Sequence, residues 1–489
     1  MSHGLLQAAL QNKIVWYLGT RYLTFAVQLL SSIYIAVKLG VRYWGIWSFI
    51  LLTVNIGYQL NWGIGSSTMI LMVQNKGDDK LNRSICYNSF ILTIFGMIPA
   101  ILFVFYERLF KIPLFIKYQT GSMIYGALFV ICLYHLNILL MNISRTRNHV
   151  FPIAFNQSVF PVICFILMFF FKGERLLHLL LCGYVVAMLA SVVIYIKNGY
   201  IRLSEKVDLS LCCTILKKGW LLFLYNACFV LIVLTTKMLV SYYYSVAAFG
   251  LFAFAFNLAS AALLFVDSVT FIAQAKMIDM LQGNDPKTNL KRIEFIRQCY
   301  LISITGIICL AIPAFYLLIQ FIPKYKDSFS SFVLIILSLE LYPICYGYNA
   351  YLMAHNKEKI MACLAGLAML LNAAITWFLA SYLHVQIEYC LAGIMVAYLL
   401  YVFAVNLITE KTIFSSWQFK NILRYIPPYM LVSFVLTFFL QHMQSLHILW
   451  IPFAVFFAFG YRNIISFVRN VRFFISKSDA MDVKQSQVR

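Results

Sequence analysis

Fourteen long apolar runs occupy most of this chain, the first at residues 14–37 and the last at 447–468. A helical crossing of a bilayer takes about 17–25 mostly apolar residues, and the runs are at least this long. Charged residues make up only 11% of the 489 positions, whereas soluble domains carry about 25%. Because every backbone polar group must be satisfied inside lipid, runs of this kind must be helical. The sequence therefore predicts an all-α polytopic membrane protein with about 14 (12–14) transmembrane helices.

The Lys and Arg residues fall mostly on one side of these runs. Of the 38, 27 lie on the side that holds the N-terminus and nine lie on the opposite side. Positive residues collect in cytoplasmic loops, so we expect both termini in the cytoplasm. Membrane topology then explains the net charge of +21, and no nucleic-acid partner is expected.

A weak internal repeat recurs at a spacing of 205–214 residues. Residues 44–49 (WGIWSF) match 249–254 (FGLFAF), and the tripeptide IPA occurs at both 98–100 and 312–314. The repeat covers six spans, an even number, so both copies enter the membrane in the same direction. Parallel repeats of this kind are typical of transporters.

The repeat predicts a domain organisation with two pseudo-symmetric six-helix bundles followed by a helix pair. The predicted boundaries are 1–210 for the first bundle, 211–415 for the second, 416–470 for the two further helices and 471–489 for a cytoplasmic tail.

The first run carries a polar stripe. Its members recur every three or four residues and share one helical face: Tyr17, Arg21, Thr24, Gln28, Ser31, Tyr34 and Lys38. Similar faces occur around Gln59 in the second run and Asn257 in the eighth. Snorkelling of Arg21 and Lys38 and hydrogen bonding between helices are alternatives for single residues. For three stripes together, a shared hydrophilic cavity is the favoured interpretation.

Ionisable residues inside the predicted spans mark further candidate sites, because a charge at the bilayer centre costs at least about 2.5–3.5 kcal/mol. Asp267 and Glu340 are the acidic members, and both are candidates for coupling to protons or cations. A static ion pair between Lys237 and Asp267 is the alternative. His135 in the fourth run is expected to be a hydrogen-bonded packing residue.

Catalytic signatures are missing from the sequence. It contains no G-x-x-x-x-G-K-[ST], H-E-x-x-H or G-x-S-x-G motif, and no long outer loop that could hold a catalytic site. The 12 Cys residues contain no C-x-x-C pair, so we expect them to be apolar packing residues. An enzymatic activity, a cofactor and a metal site are therefore not expected.

Residues 39–49 (LGVRYWGIWSF) resemble the end of span one and the start of span two in bacterial polysaccharide flippases. Arg21 in span one and Asn148 after span four also resemble that family's pattern. This is the O-antigen type branch of the multidrug/oligosaccharidyl-lipid/polysaccharide exporter superfamily. The resemblance implies transfer of an undecaprenyl-diphosphate-linked oligosaccharide across the bacterial inner membrane by alternating access, coupled to a proton or sodium gradient. The family's span-one cation corresponds to Arg21.

The resemblance and the polar residues together suggest roles for individual side chains. Arg21 and Lys237 are expected to bind the diphosphate or an acidic sugar, because Arg offers paired donors to phosphate. Gln28, Gln59 and Asn257 are expected to contact the sugars, and Asp267 and Glu340 the coupling ion. A polysaccharide polymerase and a chain-length regulator are expected partners from the resemblance, along with membrane lipid.

Three other functions stay open at this point. A drug or metabolite cation antiporter of the same superfamily would need a cavity dominated by acidic residues. A membrane enzyme of glycan assembly would need a catalytic site. A lipid II flippase would have the same general pattern of spans.

Overall fold

A computed structural model describes residues 13–75, 77–147, 149–199, 206–282, 285–417, 425–443 and 445–465. Within these ranges the regular structure is helical, which confirms the predicted all-α class. Twelve helices of the described residues are long and apolar enough to cross a membrane. The chain packs as two compact units, Met1–Phe254 and Ala255–Arg489. The predicted bundle boundaries stay a prediction, and the predicted tail at 471–489 lies outside the described residues.

The first unit is built from nine helices in the described ranges, and a tenth begins in it. In chain order they are α1 (Lys13–Tyr58), α2 (Ile64–Gln74), α3 (Asp79–Phe95), α4 (Ile98–Phe110), α5 (Pro113–Lys117), α6 (Met123–Thr146), α7 (Val150–Phe170), α8 (Gly173–Lys197), α9 (Leu209–Tyr243) and α10 (Val246–Met280). Helix α6 is buried along most of its length and forms the centre of this unit.

The second unit continues from α10. Its helices are α11 (Pro286–Phe321), α12 (Ser328–Leu341), α13 (Tyr346–Ala354), α14 (Glu358–Trp377), α15 (Ala392–Phe414), α16 (Pro428–Leu440) and the single turn α17 (Leu446–Leu449), which is followed by a helical stretch at 451–465. A 3-10 turn at Tyr342–Cys345 joins α12 to α13, and this pair is the most deeply buried segment of the unit.

Helix α1 contains the first predicted span and the first half of the second. It bends at Gly40, whose φ of 74° and ψ of 167° are not helical, and the predicted runs 14–37 and 45–73 lie on either side of this residue. Glycine adopts such a φ without the steric clash that a Cβ would cause. The thirteenth predicted run, at residues 425–441, corresponds to α16, an apolar helix of 13 residues.

Several helices extend well beyond their apolar runs. Helix α10 continues to Met280, and α11 already begins at Pro286. Asp285 caps α11 by accepting a hydrogen bond from the Thr288 amide. Hydropathy marks the part of a helix that lies in lipid, and capping residues mark where the helix itself begins.

Lys117 fixes the short helix α5 to the end of α9. Its Nζ donates to the carbonyl oxygens of Ser241 at 2.8 Å and Tyr242 at 2.6 Å. These carbonyls belong to the last turn of α9, where a cation is favoured by the helix dipole. Partial burial lowers the pKa of the Lys117 ammonium. Tyr118 adds a third bond, because its hydroxyl donates to the same Ser241 carbonyl at 3.1 Å.

The repeated motif forms a reciprocal helix crossing inside the first unit. A Cβ added at Gly45 would collide with the backbone oxygen of Val246, and one added at Gly250 would collide with the backbone oxygen of Val41. Each glycine therefore faces the residue four positions before the other glycine. The repeat in the sequence thus reflects a packing requirement, since only glycine permits this backbone approach.

We predict that Gly45→Ala lowers the stability of the folded protein by about 1–3 kcal/mol, the usual effect of overpacking. Thermal unfolding of the purified protein, followed by intrinsic fluorescence, measures this effect. Gly19→Ala is the matched control, because a Cβ at this helical position meets no atom within 4 Å. An unfolding midpoint for Gly45→Ala equal to that of Gly19→Ala would contradict the crossing.

Candidate substrate and ion sites

The predicted site residues divide between the two units. Arg21, Gln28, Gln59 and Lys237 belong to the first unit, and Asn257, Asp267 and Glu340 belong to the second. Arg21 and Asp267 lie in α1 and α10, but their side chains are outside the described part of the structure. The Lys237–Asp267 ion pair therefore stays a prediction. Gln28 is exposed, and Gln59, Lys237 and Asn257 are half-buried.

The polar stripe of span one is partly covered by a neighbouring helix. The Thr24 and Ser158 hydroxyls lie 2.7 Å apart, which joins α1 to α7, and Ser31 is buried. Tyr34 and Gln28 stay exposed, and the Lys38 ammonium lies 5.2 Å from the centre of the Tyr34 ring. Some members of the stripe therefore bond between helices and others are exposed, and the shared hydrophilic cavity stays a prediction.

Span two is interrupted within the predicted membrane region. Helix α1 ends at Tyr58 and α2 begins at Ile64. At the break, the Asn61 side chain donates to the Tyr58 carbonyl and accepts from the Gly63 amide, each at 3.0 Å. The His135 ring lies against the Gly57 carbonyl, with Nε2 at 3.0 Å. His135 is thus a buried, hydrogen-bonded residue, as predicted from the sequence. It provides a hydrogen-bond partner for a carbonyl group next to the break.

Span three is interrupted beside this point. Helix α3 ends at Phe95 and α4 begins at Ile98, with Pro99 in its first turn. The breaks in spans two and three share a small cavity of about 10 Å³, room for one water, whose lining includes Asn61, Thr93 and His135. Interrupted helices are a common feature of transporter binding sites, because non-helical backbone survives at membrane depth only inside protein or beside water.

Glu340 is a buried carboxyl group of the second unit. It is 1% exposed, and the Thr305 hydroxyl of α11 donates to its Oε1 at 2.8 Å. Among the described residues Glu340 forms no ion pair. Binding a proton or a small cation removes the unfavourable free energy of an uncompensated buried charge. The position therefore fits the predicted coupling role, which stays a prediction.

A second charged cluster in this unit was missed by the sequence reasoning. Arg297 Nη2 lies 2.5 Å from Glu294 Oε2, and Arg297 Nη1 donates to the Tyr425 carbonyl at 2.9 Å. The Tyr348 hydroxyl lies 3.4 Å from Glu294 Oε1 and 3.3 Å from Glu410 Oε1. Arg297 had been counted among loop cations, but it is only 4% exposed. The available signal was the spacing of three between Glu294 and Arg297 on a helical extension of span nine.

This cluster borders a cavity of about 530 Å³. Its lining contains Glu294, Arg297 and Glu410 together with Gln298, Tyr429 and Asn463. The cavity therefore joins the Arg297 cluster to the segment 425–429 that precedes and begins α16.

The fold is similar to those of solved membrane transporters. A structure of the lipid II flippase MurJ in an inward closed conformation aligns with 92% of this chain and 100% of its own length, with a TM-score of 0.65 and 16% identity. An inward-facing multidrug resistance MATE family transporter of the MOP superfamily aligns with 80% of this chain and 94% of its own length, with a TM-score of 0.63 and 11% identity. A Vibrio cholerae MATE transporter aligns with 82% and 95%, with a TM-score of 0.55 and 16% identity.

No protein-family model and no curated protein sequence matches the chain. The structural similarity at these identities concerns the fold. The chain therefore has the polytopic helical fold that MATE transporters and the MurJ flippase share.

We predict that Arg297→Gln destabilises the protein, because it leaves Glu294 without its cation and the Tyr425 carbonyl without its donor. Breaking a buried ion pair typically costs about 3–5 kcal/mol of the free energy of unfolding. We expect a loss no larger than this, because Glu294 is about a third exposed. A lowered thermal unfolding midpoint measures it. Arg462→Gln serves as the control, because Arg462 is an exposed cation in the helical stretch 451–465. Equal midpoints for the two variants would show that the ion pair contributes nothing.

Proposed function

We propose that this protein is a flippase that moves an undecaprenyl-diphosphate-linked oligosaccharide from the cytoplasmic to the periplasmic leaflet of the bacterial inner membrane. It does so by alternating access and supplies the biosynthesis of a surface polysaccharide. The observation that carries this proposal is the similarity of fold over 92% of the chain to a lipid II flippase.

In this proposal, cations of the first unit hold the diphosphate. Arg21 lies in α1 and Lys237 in α9, and both belong to apolar spans in which a charge needs a partner or a function. Arg binds phosphate oxygens through paired N–H donors. Gln28, Gln59 and Asn257 supply amide groups for the sugar hydroxyls, while the polyprenyl tail stays in the bilayer.

Glu340 and Asp267 couple transport to a proton or sodium gradient in the same proposal. Support comes from Glu340, which is buried and hydrogen-bonded to Thr305 and has no ion pair among the described residues. A polysaccharide polymerase and a chain-length regulator are the proposed partners, and both termini lie in the cytoplasm.

A cation antiporter is the second candidate function. The similarity to MATE transporters favours it, with TM-scores up to 0.63, and so does a buried carboxyl group that can bind a cation. The two candidates differ in the charge of the substrate, so drug susceptibility of a strain lacking the gene separates them. Increased susceptibility to cationic drugs with normal surface polysaccharide would favour the antiporter.

We predict that Arg21→Ala reduces flipping of the lipid-linked oligosaccharide about ten- to a hundred-fold. The variant loses about one charge-assisted hydrogen bond to the diphosphate, which contributes about 1.5–3 kcal/mol. The measurement is leaflet transfer of the lipid-linked oligosaccharide in proteoliposomes that contain equal amounts of protein. Lys38→Ala is the matched control, because Lys38 ends the same polar stripe and lies beside the Tyr34 ring. Full transfer by Arg21→Ala would refute the proposed role of Arg21.

We predict that Glu340→Gln abolishes the response of transport to an imposed proton or sodium gradient, because an amide cannot bind and release the ion. Gln keeps the size of the side chain and can still accept from Thr305. Transfer is measured in proteoliposomes with and without each gradient. Thr305→Val is the control that removes the hydrogen bond but keeps the carboxyl group. An unchanged gradient response in Glu340→Gln would exclude Glu340 as a coupling site.

A further inference from the structure

An aromatic pair stands at the interruption of span two. The Trp62 and Trp220 rings are stacked, with centroids 6.2 Å apart and planes inclined by 20°. Phe223 extends the pair, with its ring 6.3 Å from Trp62 and 5.6 Å from Trp220. The two indoles are exposed to 40% and 45%. The two indole rings are therefore held in a fixed mutual orientation although a large part of each ring is exposed.

The backbone at Trp62 and Gly63 adopts a left-handed conformation, which is unfavourable for tryptophan. Trp62 has a φ of 54° and Gly63 a φ of 69°, and a bulky side chain rarely adopts a positive φ. A Cβ on Gly63 would lie 2.6 Å from the Gly219 oxygen, and one on Gly219 would lie 2.7 Å from the Gly63 oxygen. The break thus rests directly on the α9 backbone beside Trp220. Strain of this kind concentrates at functional positions.

The surroundings of the pair include polar side chains. Asn55 and Asn226 are exposed and Gln59 is half-buried, and each lies within about two turns of the aromatic rings along α1 or α9. Trp220 lies three residues before Phe223–Tyr243, the apolar stretch of α9 that is long enough to cross a membrane, and exposed cations precede it. The pair therefore lies near the end of this span, where an aromatic ring can reach water as well as the bilayer.

The chemistry of this surface matches a sugar ring. A pyranose presents C–H groups that pack on an aromatic face, while its hydroxyls need amide donors and acceptors at the edge. Lys217 lies one turn before Trp220 and is exposed, which places a cation on the side of the pair nearer the start of α9. An anionic group linked to the sugar would be attracted to that side.

We propose that Trp62 and Trp220 form a stacking subsite for a pyranose ring of the transported glycan, flanked by Asn55, Gln59 and Asn226. This inference rests on the flippase function proposed above. It adds a recognition element for the sugar, separate from the cations assigned to the diphosphate. The backbone strain at Trp62 then serves to present one face of the indole pair to the ligand.

The test compares the binding of three probes to the full-length protein in nanodiscs. The first probe is the lipid-linked oligosaccharide extracted from a strain that lacks the gene, and the second is undecaprenyl diphosphate without sugar. The third is the free oligosaccharide released from the lipid. The wild-type protein is expected to bind the first more tightly than the second, and to bind the third measurably.

Trp220→Ala is expected to weaken binding of the first and third probes about three- to ten-fold, the range for loss of one aromatic stacking partner. Its affinity for undecaprenyl diphosphate should stay at the wild-type value. Trp220→Phe should retain most of the affinity, and Trp62→Asn, which tolerates the positive φ, should behave like Trp220→Ala. Trp377→Ala is the matched control, an exposed Trp of the second unit.

The outcomes separate the subsite from the flippase function. Binding of both lipids by the wild type with no change in Trp220→Ala would overturn the subsite and leave the flippase proposal intact. An equal loss for all probes would assign the pair a structural role. Binding of the free oligosaccharide that depends on Trp220, without binding of either lipid, would support the subsite and refute the flippase. Binding of tetraphenylphosphonium but of no glycan probe would refute both.

Discussion

The backbone amide and carbonyl groups have no water to bind inside a bilayer, and the rest of this structure follows from that constraint. Helices satisfy these groups internally, so an interruption needs another donor or acceptor. At the break in span two, the Asn61 side chain and the His135 ring take over this role. The same break brings Gly63 against Gly219 and leaves the Trp62 and Trp220 rings exposed. A local disruption of one helix therefore creates the most distinctive surface of the first unit.

The charged residues of the second unit have two kinds of environment. Near the start of α11, Arg297 and Glu294 neutralise each other, and Tyr348 links the pair to Glu410. Deeper in the unit, Glu340 has a hydroxyl partner and no ion pair among the described residues. A compensated cluster holds helices together, whereas a single buried carboxyl group is able to exchange a proton or a small cation.

Much of the fold could be predicted from the sequence, because hydropathy and the bilayer thickness together determine where chains cross. The all-α class, the large number of spans and the burial of Glu340 follow from these patterns. Helix ends could not be predicted in this way, since the polar starts of α9 and α11 lie outside the apolar runs. The Arg297 cluster was missed for that reason. The bend at Gly40 and the break at Trp62 depend on single φ angles, which hydropathy does not encode. The contact of Gly45 with Val246 required the three-dimensional structure, although the repeat had marked both glycines' motifs.

The central claim is that the protein transfers a lipid-linked oligosaccharide between leaflets. The most direct measurement is the amount and leaflet location of lipid-linked oligosaccharides in a strain that lacks the gene. The account predicts that complete units accumulate on the cytoplasmic leaflet while surface polysaccharide disappears, and that the wild-type gene restores both. Unchanged surface polysaccharide without accumulation would contradict the account.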